Sequence, residues 1–240
     1  MNKNRPELDI YLAEQALHTK YADTPEIIKE RAELRDFCIQ NFESQNAKKL
    51  YLRLQKIEIN RIIVDTVLKE LPDEKRRFIE LKYKHNETFI SISMKLNISA
   101  AQLNIWNKAI LNEIKNFMFY TLTEKDIFSK VKILNMLHII DARIEFFEEN
   151  FKADRIAIEF VNRRWLNALI ILRQNYRQLL SILEDCTARR SESLRNEIIA
   201  MKVQSPTDNY SELARKCHLS VAAVSRHLKQ FEDNVKKYIE

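Results

Sequence analysis

The sequence predicts an all-α protein, and three observations carry that expectation. The 240-residue chain contains no glycine and only four prolines, so β-hairpin turns would lack the residue that most readily adopts their positive φ. Leu, Ile, Lys, Glu, Arg and Ala are abundant, a composition typical of helical chains. Apolar residues also recur at spacings of three and four over long windows, which places them along one face of a helix.

The length suffices for one large domain or two small ones. A formal net charge of +6 and a pI near 9.1 suit an anionic partner such as nucleic acid, although an ordinary basic soluble protein has the same balance. Cys38, Cys186 and Cys217 are scattered, which points to free thiols in a reducing compartment. His18, His85, His138, His218 and His227 show no ligand spacing with cysteines or carboxylates, so neither a metal nor another cofactor is expected. Without glycine there is no phosphate-cradling loop, and no nucleophile–base pattern stands out, so no catalytic residue is expected either. The N-terminus has no apolar signal core and no run reaches membrane-spanning length, so a cytoplasmic protein without membrane contact is expected.

Residues 1–24 read as a short lead-in with a weak helix around Asp9 to Lys20. Thr24-Pro25-Glu26 is a helix start, because proline fits the first helical position. From there residues 25–71 form a long helix pair, the second member running from about Lys48 and ending where Leu71 meets Pro72. Residues 72–121 give a helix around Lys75 to Tyr83, a polar loop at His85–Glu87, and a helix from Thr88 to Leu96. A turn at Asn97-Ile98-Ser99 and a long helix carrying Leu103, Trp106, Ile110, Ile114 and Phe117 follow. Residues 122–187 are a second long pair. Its first helix spans Glu124 to Phe151, with Thr123 and Asp126 as a cap, and its second carries Trp165, Leu169, Leu172, Tyr176, Leu179, Leu183 and Cys186. Trp106 and Trp165 read as core anchors, and Glu145, Glu148 and Glu149 as a solvated face.

Residues 188–240 end in a short helix holding Leu213 and Ala214, a turn at His218-Leu219-Ser220 and a helix striped by Val221, Val224, Leu228, Phe231, Val235 and Tyr238. That is the sequence form of a helix-turn-helix, whose second helix enters the DNA major groove. Setting Ile98-Ser99 beside Leu219-Ser220 gives an offset of 121 residues. It also pairs Phe89 with Tyr210, Ile92 with Leu213, Leu103 with Val224, Ile110 with Phe231, Ile114 with Val235 and Phe117 with Tyr238. Two repeats are therefore expected, each a long helix pair followed by a trihelical helix-turn-helix unit, with six extra residues in the polar Thr187–Ser193 region.

The run Phe78-Ile79-Glu80-Leu81-Lys82-Tyr83, followed by Ile92, Leu96, Ile98, Ser99 and Leu103, resembles the promoter-recognising C-terminal domain of sigma factors. It is similar, too, to phage late-gene regulators that use that domain. The later motif, with Ala214, Leu219, Ser220 and Val224, resembles the general bacterial helix-turn-helix pattern. Both depart from those patterns at the turn, where Asn97 and His218 stand in place of glycine, and Ser93 replaces a preferred alanine. Nothing upstream resembles the polymerase-binding part of a sigma factor.

The resemblance implies a sequence-specific regulator of transcription that binds double-stranded DNA. At the groove-facing positions the second motif offers Ser220, Ser225, Arg226 and Lys229, with Arg215 and Lys216 on its first helix. The first motif offers Ser99, Gln102, Asn104 and Lys108. Gln and Asn side chains can pair with adenine, Arg with guanine, and an exposed Ile105 could meet a thymine methyl or a protein. The second motif is expected to bind more strongly. RNA polymerase or another regulator is a further expected partner, and the chain would act as a monomer with internal pseudo-symmetry or as a homodimer. The other reading is a helical adaptor whose motifs are purely structural.

Overall fold

The structure, a computed structural model, describes residues 5–41, 43–123, 126–153 and 159–239, and side chains within those ranges except at 5–8, 149–153 and 159–165. The described residues contain helices and no strand. The fold is all-α, and the chain forms two compact units, residues 1–119 and 120–240.

In the first unit, α1 (Arg5–Ala22) is followed by α2 (Pro25–Gln40) and α3 (Gln45–Glu70). α2 starts as its sequence requires: Pro25 opens the helix and the amide of Ile27 donates to Thr24 Oγ1 at 3.3 Å. α3 stops at Leu71, whose extended backbone leads into Pro72. α4 (Asp73–Ile79) runs on into a π-helical turn (Glu80–Lys84), and α5 (Phe89–Leu96) and α6 (Ala100–Met118) close the unit. The lead-in expected at residues 1–24 is thus helical from Arg5 onward, and it is part of the core. Ala13, Ala16 and Leu17 are buried, and α1 packs on both α3 and α6. Two of those three residues are alanines, whose small side chains let helices approach closely but leave only a faint apolar stripe in the sequence. The core also includes Ile63, Val64 and Val67 of α3, Phe78 and Ile79 of α4, Tyr83, Ile92 of α5, and Leu103, Ile110 and Ile114 of α6. Each such burial contributes about 1.5–3 kcal/mol. α2 is the exception, since Cys38 is its only buried residue.

The π-helical turn widens the helix by one residue and aims Tyr83 inward. Its hydroxyl donates to Asn107 Oδ1 of α6 at 2.9 Å and lies 3.3 Å from Glu14 of α1, and the His18 ring meets its edge at 5.0 Å. Burial, with the Glu14 carboxylate adding to it, pushes the Tyr83 pKa well above the ordinary range, so the phenol keeps the proton it donates.

The second unit begins with α7 (Lys130–Ala153) and α8 (Glu159–Ala188), followed by a 3₁₀ turn (Arg190–Glu192), α9 (Leu194–Gln204), α10 (Tyr210–Cys217), α11 (Val221–Val235) and a closing 3₁₀ turn (Lys236–Tyr238). The helix expected from Glu124 begins at Lys130 instead. The cap is Ser129, whose hydroxyl accepts from the Lys132 amide at 3.3 Å. Thr123 and Asp126 form a tight turn ahead of it: the amide and hydroxyl of Thr123 both donate to Asp126 Oδ2, at 2.9 and 2.5 Å. α8 buries Leu169, Tyr176, Leu179 and Leu183 as its stripe predicts, and Tyr176 donates its hydroxyl to the Tyr120 carbonyl at 2.7 Å. The side chains of Trp165 and Phe151 lie outside the described residues. α9, which the sequence stripe left unplaced, buries Ile198, Ile199 and Ala200. Trp106 is half-buried against Phe78, with ring centroids 6.2 Å apart and Lys75 over its face, which fits an anchor at the core's edge.

Candidate nucleic-acid interface

The second motif is built by four local devices. Asn209 and Glu212 form a reciprocal capping box at the start of α10, with both hydrogen bonds at 2.9 Å. α10 ends at His218 in the left-handed region (φ 53°, ψ 41°), and the Leu219 amide reaches back to the Ala214 carbonyl at 2.9 Å. Ser220 caps α11 by accepting from the Ala223 amide at 3.2 Å. The loop before α10 is held by Lys202, whose ammonium donates to the carbonyls of Pro206 (2.7 Å) and Asp208 (2.5 Å).

Val224, Leu228, Phe231 and Val235 then turn inward over Leu213 and Ala214, and the Phe231 ring meets Phe128 at a tilt, with centroids 5.5 Å apart. Helical geometry puts Ala222, Arg226 and Lys229 on the opposite side, and all three are exposed. Ser220 is exposed and Ser225 half-buried. Ser225 and Lys229 share a cleft of about 260 Å³ with Ile127, Tyr210, Glu232, Asp233 and Lys236. Carboxylates therefore collect toward the C-terminal half of α11, while Arg226 stands on the half that a recognition helix presents to base edges. On α10, Arg215 is exposed, but Lys216 ion-pairs with Asp208 at 2.5 Å and so staples the loop to the helix. Of the six residues expected here, Ser220, Arg215, Arg226 and Lys229 are open to a ligand, Ser225 is partly covered, and Lys216 is already engaged.

The first motif shares three of these features, a side-chain cap, a left-handed turn residue and a capping serine. Thr88 caps α5 (Ser91 amide to Oγ1, 3.2 Å), and Asn97 ends it in the left-handed region (φ 55°, ψ 41°). The Ile98 amide returns to the Ser93 carbonyl at 3.2 Å, and Ser99 caps α6 through the Gln102 amide at 3.2 Å. Lys95 pairs with Glu87 at 2.5 Å, the counterpart of Lys216 with Asp208. Ser99, Gln102, Asn104 and Lys108 are exposed, as a groove-facing role requires.

The sequence marks Ile105 as exposed, but it gives no such expectation for Ile90 and Met94 on the same motif. Ile90 is 66% exposed, Met94 79% and Ile105 59%. In Phe89-Ile90-Ser91-Ile92-Ser93-Met94 the dense apolar run reads as core, yet only Ile92 is buried. The available signal was the spacing of four between Ile90 and Met94, which sets both on the side of α5 opposite Ile92.

Residues 12–116 match the model of a family described as "Protein of unknown function (DUF722)". The match lies within the first unit and covers less than half of the chain. No curated protein and no solved structure matches. Among the described residues, no cluster of His, Cys, Asp and Glu could hold a metal ion, and no helix is long and apolar enough to cross a membrane.

Proposed function

We propose that the chain is a sequence-specific regulator of transcription that binds double-stranded DNA in the cytoplasm and carries two helix-turn-helix units. The carrying observation is the placement of Arg226 and Lys229: both are exposed, on the face of a Ser-capped helix opposite its buried stripe, directly after a left-handed turn. An arginine so placed can donate two hydrogen bonds to guanine, and a lysine can neutralise a phosphate. The recurrence of caps, left-handed residues and loop-stapling ion pairs at a spacing of 121 residues supports an ancestral duplication. The phage late-gene regulators that the sequence resembles are the model for the cellular role.

The test starts with selection of a bound sequence from random duplex DNA, followed by binding to that sequence across a range of salt. Arg226→Ala with Lys229→Ala should weaken binding at least tenfold and lower the slope of log K against log [salt] by about 1–2, close to 0.9 per lost phosphate contact. Loss of affinity for the selected sequence alone, with the slope intact, assigns both residues to base edges. An unchanged affinity and slope removes them from the interface and sinks the reading.

A further inference from the structure

The two motifs have matched backbones but opposite surface chemistry, and the mismatch is concentrated in three places. Where the second motif has Ser211, Arg215 and Arg226, the first has Ile90, Met94 and Ile105 at the same spacing of 121 residues, all more than half exposed. One of the three, Ile105 on the recognition helix, could touch a thymine methyl in the groove. Ile90 and Met94 could not, because they lie on the first helix of the motif, which crosses the phosphate backbone and stays outside the groove. Phosphates offer no apolar partner, so a DNA complex would leave two large side chains facing hydrated charge.

We propose that the first helix-turn-helix is a protein-docking surface, and that its occupant is an amphipathic helix with an apolar stripe flanked by carboxylates. Its apolar positions are Ile90 and Met94, one turn apart on α5, and Ile105 on α6, the helix packed against α5. Charge selects the occupant. α5 carries one cation, Lys95, and no carboxylate, and α6 carries Lys108 and Lys115 against the single Glu113. A second copy of this face would bring lysine toward lysine, which disfavours self-association, whereas an acidic helix finds both an apolar seat and a cationic rim. Lys95 already has Glu87 as a partner, so Lys108 is the rim charge the occupant is expected to use first. This inference does not require that the second motif bind DNA.

The experiment uses the full chain and a fluorescent synthetic helix with leucines at i, i+3, i+4 and i+7 and glutamates on the flanks. Saturable binding is expected, with a dissociation constant in the range of about 10–100 µM for a single short helix. Met94→Arg with Ile105→Arg, which installs the residues of the second motif, should weaken binding by about tenfold or more. Replacing the flanking glutamates of the probe by lysines should do the same. A control in the second motif, Arg215→Ala with Arg226→Ala, should leave probe binding as it is in the parent. The proposal is overturned if no saturable binding is seen below about 1 mM, if both probes bind alike, or if the double arginine variant binds as the parent does. Sedimentation supplies a further outcome: a dimer that the Met94→Arg, Ile105→Arg variant dissolves would make the occupant a second copy and also overturn it. Because none of these readouts uses DNA, failure here and failure of the DNA-binding reading are separately visible.

Discussion

The two helix-turn-helix segments share a few shaping hydrogen bonds and an apolar inner stripe, and differ at particular outward and inward positions. Each begins at a side-chain cap, Thr88 or Asn209, passes through a left-handed residue, Asn97 or His218, and restarts at a capping serine, Ser99 or Ser220. Three outward positions then diverge, Ile90, Met94 and Ile105 answering to Ser211, Arg215 and Arg226, and one inward position diverges as well. At the spacing of 121 residues, buried Asn107 on α6 answers to buried Leu228 on α11. The difference follows from what lies behind each helix. Unit one sends Tyr83 inward from a π-helical turn and offers its hydroxyl to Asn107, while the corresponding stretch of α11 packs among Val224, Phe231 and Val235. The lesson is that a turn chemistry fixed by a handful of local bonds leaves both the surface and part of the core free to specialise.

That comparison breaks most readily at the core position. Leu228→Asn removes a fully buried aliphatic side chain and leaves an amide without a partner, and it should cost about 3–5 kcal/mol. Asn107→Leu removes only the Tyr83 acceptor at 2.9 Å and leaves Glu14 in reach, so about 1 kcal/mol is expected. Hydrogen exchange of the core amides of each unit, measured in the full chain, reads the two losses separately. Equal losses would mean that the Tyr83–Asn107 pair is as indispensable as an apolar contact, and the contrast drawn here would fall.

A smaller effect is expected at the turns. Both Asn97 and His218 adopt a backbone region in which a Cβ is penalised, and asparagine tolerates it best among residues with a side chain. His218→Gly should therefore stabilise the second unit by about 0.5–1 kcal/mol, and Asn97→Gly the first unit by less. His218→Val should cost about 1–2 kcal/mol. A destabilising His218→Gly would show that the imidazole contributes contacts beyond the turn.

These same positions mark how much was legible in the sequence. Leu103, Ile110, Ile114, Val224, Leu228 and Phe231 declared their burial through spacing alone, and Ser99 and Ser220 declared the helix starts, because both signals are local. α1 was read too weakly because Ala13 and Ala16 are apolar by size more than by hydropathy, and their burial depends on α3 and α6 arriving from far along the chain. The start of α7 was misplaced because Thr123 and Asp126 satisfy each other, so a spacing that suits a capping box closed a turn instead. On the candidate interface, the exposure of Arg226 and Lys229 was legible because both face opposite an obvious stripe. The pairing of Lys216 with Asp208 was not legible, since it depends on a loop geometry that no spacing rule supplies. Ile90 and Met94 escaped because hydrophobic residues on a short helix are read as core until coordinates show which side is covered.

The finest difference concerns the loop staples. Hydrogen bonds from Lys95 and then from Ser91 hold the Glu87 carboxyl below the ordinary glutamate range, against a smaller opposing effect of burial. A carboxylate whose pKa is depressed by folding stabilises the folded state above its unfolded pKa of about 4.3, and the contribution disappears as pH falls through the lower, folded value. Lys95→Ala should therefore move the Glu87 midpoint upward, with Ser91→Ala producing a smaller move in the same direction. Carboxyl-carbon NMR titration of the full chain measures both. The shift should shrink in high salt, because Lys95 is about half exposed and its charge attraction for Glu87 is screened. If Lys95→Ala leaves the midpoint where it was, the staple is held by Ser91 and the backbone. The resemblance between Glu87–Lys95 and Asp208–Lys216 would then be one of position without shared physics, and Lys95 would be as free as Lys108 to meet an acidic partner.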